Sequence, residues 1–218
     1  MDDLDWGVVR RSWPILREAT WTSIQLFFLS LVLATIVGLA VALMRMSSVR
    51  GVRWFAAIYI WIFRGLPALV ILFFAFFWLG RELDLTPFQA AVLGLAASSG
   101  AYKAEIIRAG LLAVDRGQYE AAEALGFTKA HAMRKIILPQ GVRVMVPNYM
   151  SNATLLFKST SLAAVIGLTE LTGRSRQLAN STFKPIEFLT AAGGIYLVLT
   201  SVLIVGQGFL ERRFALKK

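Results

Sequence analysis

The stretch 120-EAAEALGFTKAHAMRKIILPQ-140 lies midway along a chain that is otherwise mostly apolar. It reads as two short helices joined at an elbow. Residues 118–125 are rich in Ala, Glu and Leu, all good helix formers. Gly126 follows, where a helix commonly ends in a left-handed residue. Thr128 is placed to cap a second helix, expected to run to about Leu138 and to stop at Pro139. Phe127, Ala130, Met133, Ile136 and Ile137 make its apolar stripe, with Lys129, Arg134 and Lys135 toward the other side. Ala121, Ala122 and Ala124 leave the first helix smooth enough for another backbone to come close. By periodicity alone, the element suits an amphipathic helix in the lipid headgroup layer and a protein-docking plug equally well.

The flanking sequence names the solvent. Of 218 residues, 57% are hydrophobic and 17% charged, against about 45–50% and about 25% in soluble domains. Residues 21–44 and 188–210 hold no Asp, Glu, Lys or Arg, and roughly 20 apolar residues cross a bilayer core. Five apolar segments are expected as spans, at about 21–44, 54–80, 88–114, 144–168 and 188–210. The second is interrupted at Arg64-Gly65-Leu66-Pro67. Lipid leaves only helices and closed barrels, and these runs are too long for barrel strands. The expectation is an all-α membrane protein with five transmembrane helices. It forms a single domain over residues 1–218, with a core from about 20 to 213 and an exposed loop from about 115 to 140.

Composition also excludes chemistry. There is no cysteine and one histidine, His131, so no Cys-based zinc site, disulfide or His cluster can form. No phosphate-binding G-x-x-x-x-G-K-[ST] loop occurs, and no cofactor or metal is expected on this chain. The acidic opening MDDLDWG does not resemble a cleavable signal. The net charge of +10 is scattered between spans, which fits orientation in a membrane rather than nucleic-acid binding. Arg45, Arg50 and Arg53, the basic residues from Arg116 to Arg143, and Arg212, Arg213, Lys217 and Lys218 fall on one side, which is therefore cytoplasmic. Arg10, Arg11, Arg17, Arg174 and Arg176 fall outside, so the bias is not clean. The N-terminus is expected outside, the C-terminus inside, and the elbow faces the cytoplasm.

Glu120-Ala121-Ala122, three residues, Gly126, nine residues, Ile136, one residue, then Leu138-Pro139 resembles the EAA loop of bacterial ABC importer permeases in full. Arg64-Gly65-Leu66-Pro67, Ala101-Tyr102 with Glu105 and Arg108, Gly117-Gln118, and Lys158 followed by Thr160-Ser161-Leu162 resemble the polar amino acid branch of those permeases. The resemblance covers about residues 21–213. It implies a type I importer permease fold in the bacterial inner membrane. It also implies an ATPase partner subunit that binds ATP and Mg, a second copy or a similar sister permease, and an extracytoplasmic substrate-binding protein. Glu120, Ala121, Ala122, Gly126, Ile136, Leu138 and Pro139 are then the coupling residues, resting in a groove of the ATPase. A self-sufficient secondary carrier or channel, or a membrane scaffold, would need neither partner.

Charges and breaks inside the spans are candidate path residues. Glu105 and Arg108 lie three apart and can pair with each other, or one of them can meet substrate. Lys103 lies on another face and is expected to snorkel, a departure from the family pattern. The break at Arg64, Gly65 and Pro67 is either a packing kink or an opening at the path. Tyr102, Asn148, Asn152, Lys158, Ser159, Thr160 and Ser161 are further candidates, with hydroxyl-to-carbonyl and interhelical bonds the plainer alternative. Many relatives carry Asp or Asn where this chain has Ser159, which weakens any specificity carried over from them. Glu170 and Glu187 read as solvated loop charges, with contact to a cationic substrate or a binding protein as the alternative. Two such subunits are expected to pair, and Gly38, Ala40, Gly94, Ala96, Ala97, Gly193 and Gly194 are small enough to allow close helix contact, with nothing in the sequence to say which of them face the partner.

Overall fold

In a computed structural model, residues 4–214 are described. Residues 1–3 of the acidic opening, and Lys217 and Lys218, lie outside the described residues. Among the described residues the chain is helical, with no strand. The order is α1 (Trp6–Arg11), α2 (Trp13–Arg45), α3 (Arg50–Gly65), α4 (Ala68–Phe73), a π-helical turn (Phe74–Leu79), α5 (Gly80–Glu82) and α6 (Pro87–Leu112). Then come α7 (Arg116–Ala124), α8 (Lys129–Ala132), a second π-helical turn (Met133–Ile137), α9 (Leu138–Ser159), a 3-10 stretch (Thr160–Ile166), α10 (Leu171–Thr182) and α11 (Pro185–Phe214).

Among the described residues two helices, α2 and Pro185–Arg213 of α11, are long and apolar enough to cross a bilayer. Two bent pairs pass when each is taken together, so length and composition support two to four spans. The third apolar segment forms α6, whose 26 residues reach about 39 Å at 1.5 Å per residue, yet it does not match that apolarity. Its position explains this. It packs against α2, α3, α4 and α9, and of its twelve buried residues nine are Ala, Gly or Ser. A helix surrounded by protein needs small residues for close approach more than it needs oil. Where it crosses α2, a Cβ on Gly38 would lie 2.7 Å from Lys103 Cβ, so glycine is required there.

Three segments depart from the sequence reading. The second span is no straight crossing, because α3 and residues 68–82 meet at 107°. Leu66 is extended (φ −91°, ψ 142°), as a residue before proline must be, and the chain reverses rather than kinks. Second, Pro139 does not stop the elbow's second helix. A helical path runs on from Lys129 to Ser159 through the π-helical turn at Met133–Ile137. Pro139 sits at the start of α9, and the wider turn before it takes up the hydrogen bond that proline cannot donate. Third, the stretch between the fourth and fifth expected spans, read as loop at Glu170, is mostly α10.

Among the described residues four apolar clusters hold the bundle. The largest joins Leu26, Phe27, Leu72, Leu95, Leu156 and Phe157, drawn from α2, α4, α6 and α9. Another, around Leu111, Val114, Ile137 and Met145, seats the elbow's trailing helix on the end of α6. Of the small residues that allow close helix contact, Gly38, Gly94 and Ala96 are taken up inside the chain, whereas a Cβ on Gly193 or Gly194 would meet nothing within 4 Å.

Candidate functional site

The elbow forms as its turn chemistry dictates. Asp115 caps α7 by accepting from the Gly117 N–H at 2.7 Å. At the other end Gly126 has φ +76°. The Phe127 N–H donates to the Ala122 carbonyl at 3.0 Å and the Gly126 N–H to that of Glu123 at 2.9 Å, the two bonds of a Schellman ending. Thr128 caps α8, its hydroxyl accepting from the His131 N–H at 3.3 Å. Ala122 faces inward, while Ala121, Glu120 and Pro139 are exposed. Leu125, at 76% exposure, and Phe127 stand out from the surface, with Phe127 stacked on His131. Ile136 is half-buried and Leu138 exposed, so Met133, Ile136 and Ile137 of the expected stripe pack inward and Phe127 and Ala130 do not. Glu120 pairs with Arg116 at 3.1 Å on an open surface. The Gln140 side chain donates to Gln118 at 3.1 Å and to the Ile136 carbonyl at 3.0 Å, tying α9 to α7.

The second site is a cavity of about 360 Å³ at the reversal between α3 and α4. It brings together Arg64, Gly65, Pro67, Tyr102, Asn152 and Ser159. These come from three distant parts of the chain, and all six are among the candidates that the sequence supplies. Arg64 lies over the Tyr102 ring at 5.2 Å. The sequence reading missed Ser98 and Ser99, which also line it. A signal was present, since Ser99 and Lys103 stand one turn apart on α6.

Lys103 corrects an expectation. It does not snorkel, and is 0% exposed. Its ammonium donates to Asn152 Oδ1 at 2.7 Å and sits 4.4 Å from the centre of the Tyr149 ring. Ser99 Oγ donates to the same oxygen at 2.9 Å. The Tyr149 hydroxyl lies 2.6 Å from Thr35 Oγ1, extending the network to α2. The Lys103 stem is clamped where α6 crosses α2 at Gly38, which leaves it no route to a membrane surface.

The remaining candidates lie elsewhere. Glu105 and Arg108 pair with each other through bonds of 2.7 and 3.2 Å and do not line the cavity. Asn148 and Lys158 are exposed and away from it. Thr160 and Ser161 bond the carbonyls of Phe157 and Lys158 at 2.7 and 2.8 Å, as does Ser159 that of Leu155 at 2.9 Å. Glu170 is no solvated loop charge. It is 0% exposed, caps α10 through the Gly173 N–H at 2.8 Å, and accepts from Ser23 at 3.0 Å and Tyr196 at 2.7 Å. Glu187 is also buried, accepting from the Asp5 N–H at 3.1 Å.

Residues 21–216 match the family model described as binding-protein-dependent transport system inner membrane component. The chain belongs to this family. Its members are membrane-embedded transport components, not enzymes. The chain is 41% identical over 213 residues to an arginine transport system permease protein of Corynebacterium glutamicum, covering 88% of this chain and 66% of that one. A nopaline transport permease of Agrobacterium fabrum is 37% identical, covering 91% of this chain and 87% of its own. An L-cystine transport permease of Bacillus subtilis is 36% identical, covering 96% and 91%. Among solved structures, an amino acid ABC transporter with histidines superposes with a TM-score of 0.90 at 33% identity, covering 97% of this chain and 99% of that one. A methionine ABC transporter shares the fold at a TM-score of 0.80 and 17% identity, covering 92% of this chain and 96% of that one. The all-α permease fold expected from the motifs is therefore the fold of this chain, in a multi-pass inner-membrane component.

Proposed function

We propose that this chain is the membrane-spanning subunit of an ATP-driven importer for a polar amino acid or a related compound. Its N-terminus lies outside and its C-terminus in the cytoplasm. The observation that carries the reading is the elbow: a Schellman ending at Gly126 presents Leu125 and Phe127 outward from a seat packed on α6. Such a rigid, exposed knob transmits displacement because neither its hinge nor its base can slip. Glu120, Ala121, Ala122, Gly126, Ile136, Leu138 and Pro139 form or support it. It docks on a separate ATPase subunit, which binds ATP and Mg. Two permease domains, identical or similar, pair to enclose the path, and an extracytoplasmic binding protein delivers solute. The cavity at Arg64, Gly65, Pro67, Tyr102, Asn152 and Ser159 is part of that path, opened by the reversed second segment. The names of the similar permeases, for arginine, nopaline and cystine, support an amino acid or a derivative as cargo.

The test has two parts. A Leu125→Cys chain is expected to crosslink to the co-purified ATPase subunit in inside-out vesicles. Gly126→Pro is expected to leave the spans inserted while uncoupling ATP hydrolysis from uptake. Undiminished uptake by Gly126→Pro, or labelling of the introduced thiol from the outer face, would overturn the coupling role.

A further inference from the structure

We infer that the cavity at the α3–α4 reversal sorts solutes by charge. It takes a carboxylate-bearing solute of negative or zero net charge and turns away one with a cationic side chain. This rests on the proposed reading of that cavity as part of the path.

The first ground is the lining. It contains Arg64, Asn152 and the hydroxyl residues Ser98, Ser99 and Ser159, and no Asp or Glu. The second is the wall behind it. Lys103 is wholly buried, and no carboxylate lies within 4.0 Å of its nitrogen among the described residues. An ammonium can only donate, so the atom it meets at 2.7 Å must be the amide oxygen of Asn152. Ser99 donates to that same oxygen. Both observations orient the amide oxygen-inward. The Asn152 amino group is left without a protein partner among the described residues, on a side chain that lines the cavity. An amino group backed by a buried cation is a carboxylate receptor, and Arg64, in the same lining, supplies a second cation.

Among the described residues no carboxylate lines the cavity to cancel this field, and the Glu105 charge, which Arg64 feels, is already taken up. Glu105, on the same helix, is held by Arg108 in two hydrogen bonds. Glu170 is enclosed by Ser23, Tyr196 and Gly173 elsewhere. A buried cation without a counter-ion is costly, and an anion entering the cavity offsets that cost. A guanidinium or ammonium side chain would add to it. Likeness to an arginine permease alone would suggest the opposite preference.

The experiment uses the permease–ATPase complex in lipid nanodiscs without the binding protein, so that selectivity belongs to the spans. Equilibrium binding of radiolabelled L-glutamate, L-glutamine and L-arginine is measured. Glutamate is expected to bind at least about tenfold more tightly than arginine, the scale of a charge several ångströms away at an effective dielectric constant of about 20. Lys103→Met, close in length and uncharged, is expected to shrink that ratio severalfold. Arg64→Gln, at the exposed rim, should do likewise and serves if the first variant does not fold. Equal or tighter arginine binding overturns the charge preference while leaving the cavity as a solute site, as does an unchanged ratio in a folded variant. Saturable binding of none of the three removes the cavity from the path, and the charge preference with it.

Discussion

Glu170 and Lys103 are both wholly buried, yet their surroundings differ in kind. Glu170 accepts from a hydroxyl on α2, a hydroxyl on α11 and the first turn of α10, so its charge is closed off by three donors. Lys103 has one oxygen and one aromatic face, and the amide it orients opens on a cavity. Equal burial therefore does not mean equal role. The closed node ties three helices together near one end of the bundle. The open one leaves binding capacity unused, which a structural device has no reason to keep.

That contrast can be broken in order of expected effect. Glu170→Ala removes the shared acceptor of three donors, one buried and two partly buried, and should cost about 3 kcal/mol, read as a lowered unfolding midpoint in detergent. Solute binding per folded molecule should stay unchanged, and a variant that keeps wild-type stability would erase the distinction. Gly38→Val forces atoms into the α2–α6 crossing against the Lys103 stem and should cost about 2 kcal/mol, measured the same way. Next, Gly126→Ala places a Cβ on a left-handed residue, and about 1 kcal/mol of local strain follows. Faster amide exchange in residues 116–128 would report it. Lys103→Met should change stability by under about 1 kcal/mol in either direction, since a buried cation is replaced by an apolar chain of similar length. A loss as large as that of Glu170→Ala would make the open node structural after all. Arg116→Gln removes an exposed pair with Glu120 and should leave the melting curve unmoved.

Local chemistry was legible where it was self-contained. The turn at Gly126, the Thr128 cap and the Glu105–Arg108 pair involve residues within a few positions of one another, so spacing alone specifies their partners. Six cavity residues were legible as breaks or polar points in apolar segments. The fate of Pro139 was not, because proline reads as a stop unless the preceding turn widens, and nothing in Met133–Ile137 announces a π-helical turn. Nor was α6 legible as the central helix, since its Ala, Gly and Ser content resembles weak apolarity until its neighbours are known.

By itself, the sequence determined a helical membrane protein with an elbow set between apolar segments. Lipid admits few backbone solutions, and turn chemistry acts over a handful of residues. Tertiary structure alone decided which charges are buried and what they meet. Lys103 finds its oxygen 49 residues away and Glu170 its hydroxyl 147 residues away. Burial and partnership over such separations follow from how helices pack, which no local pattern records.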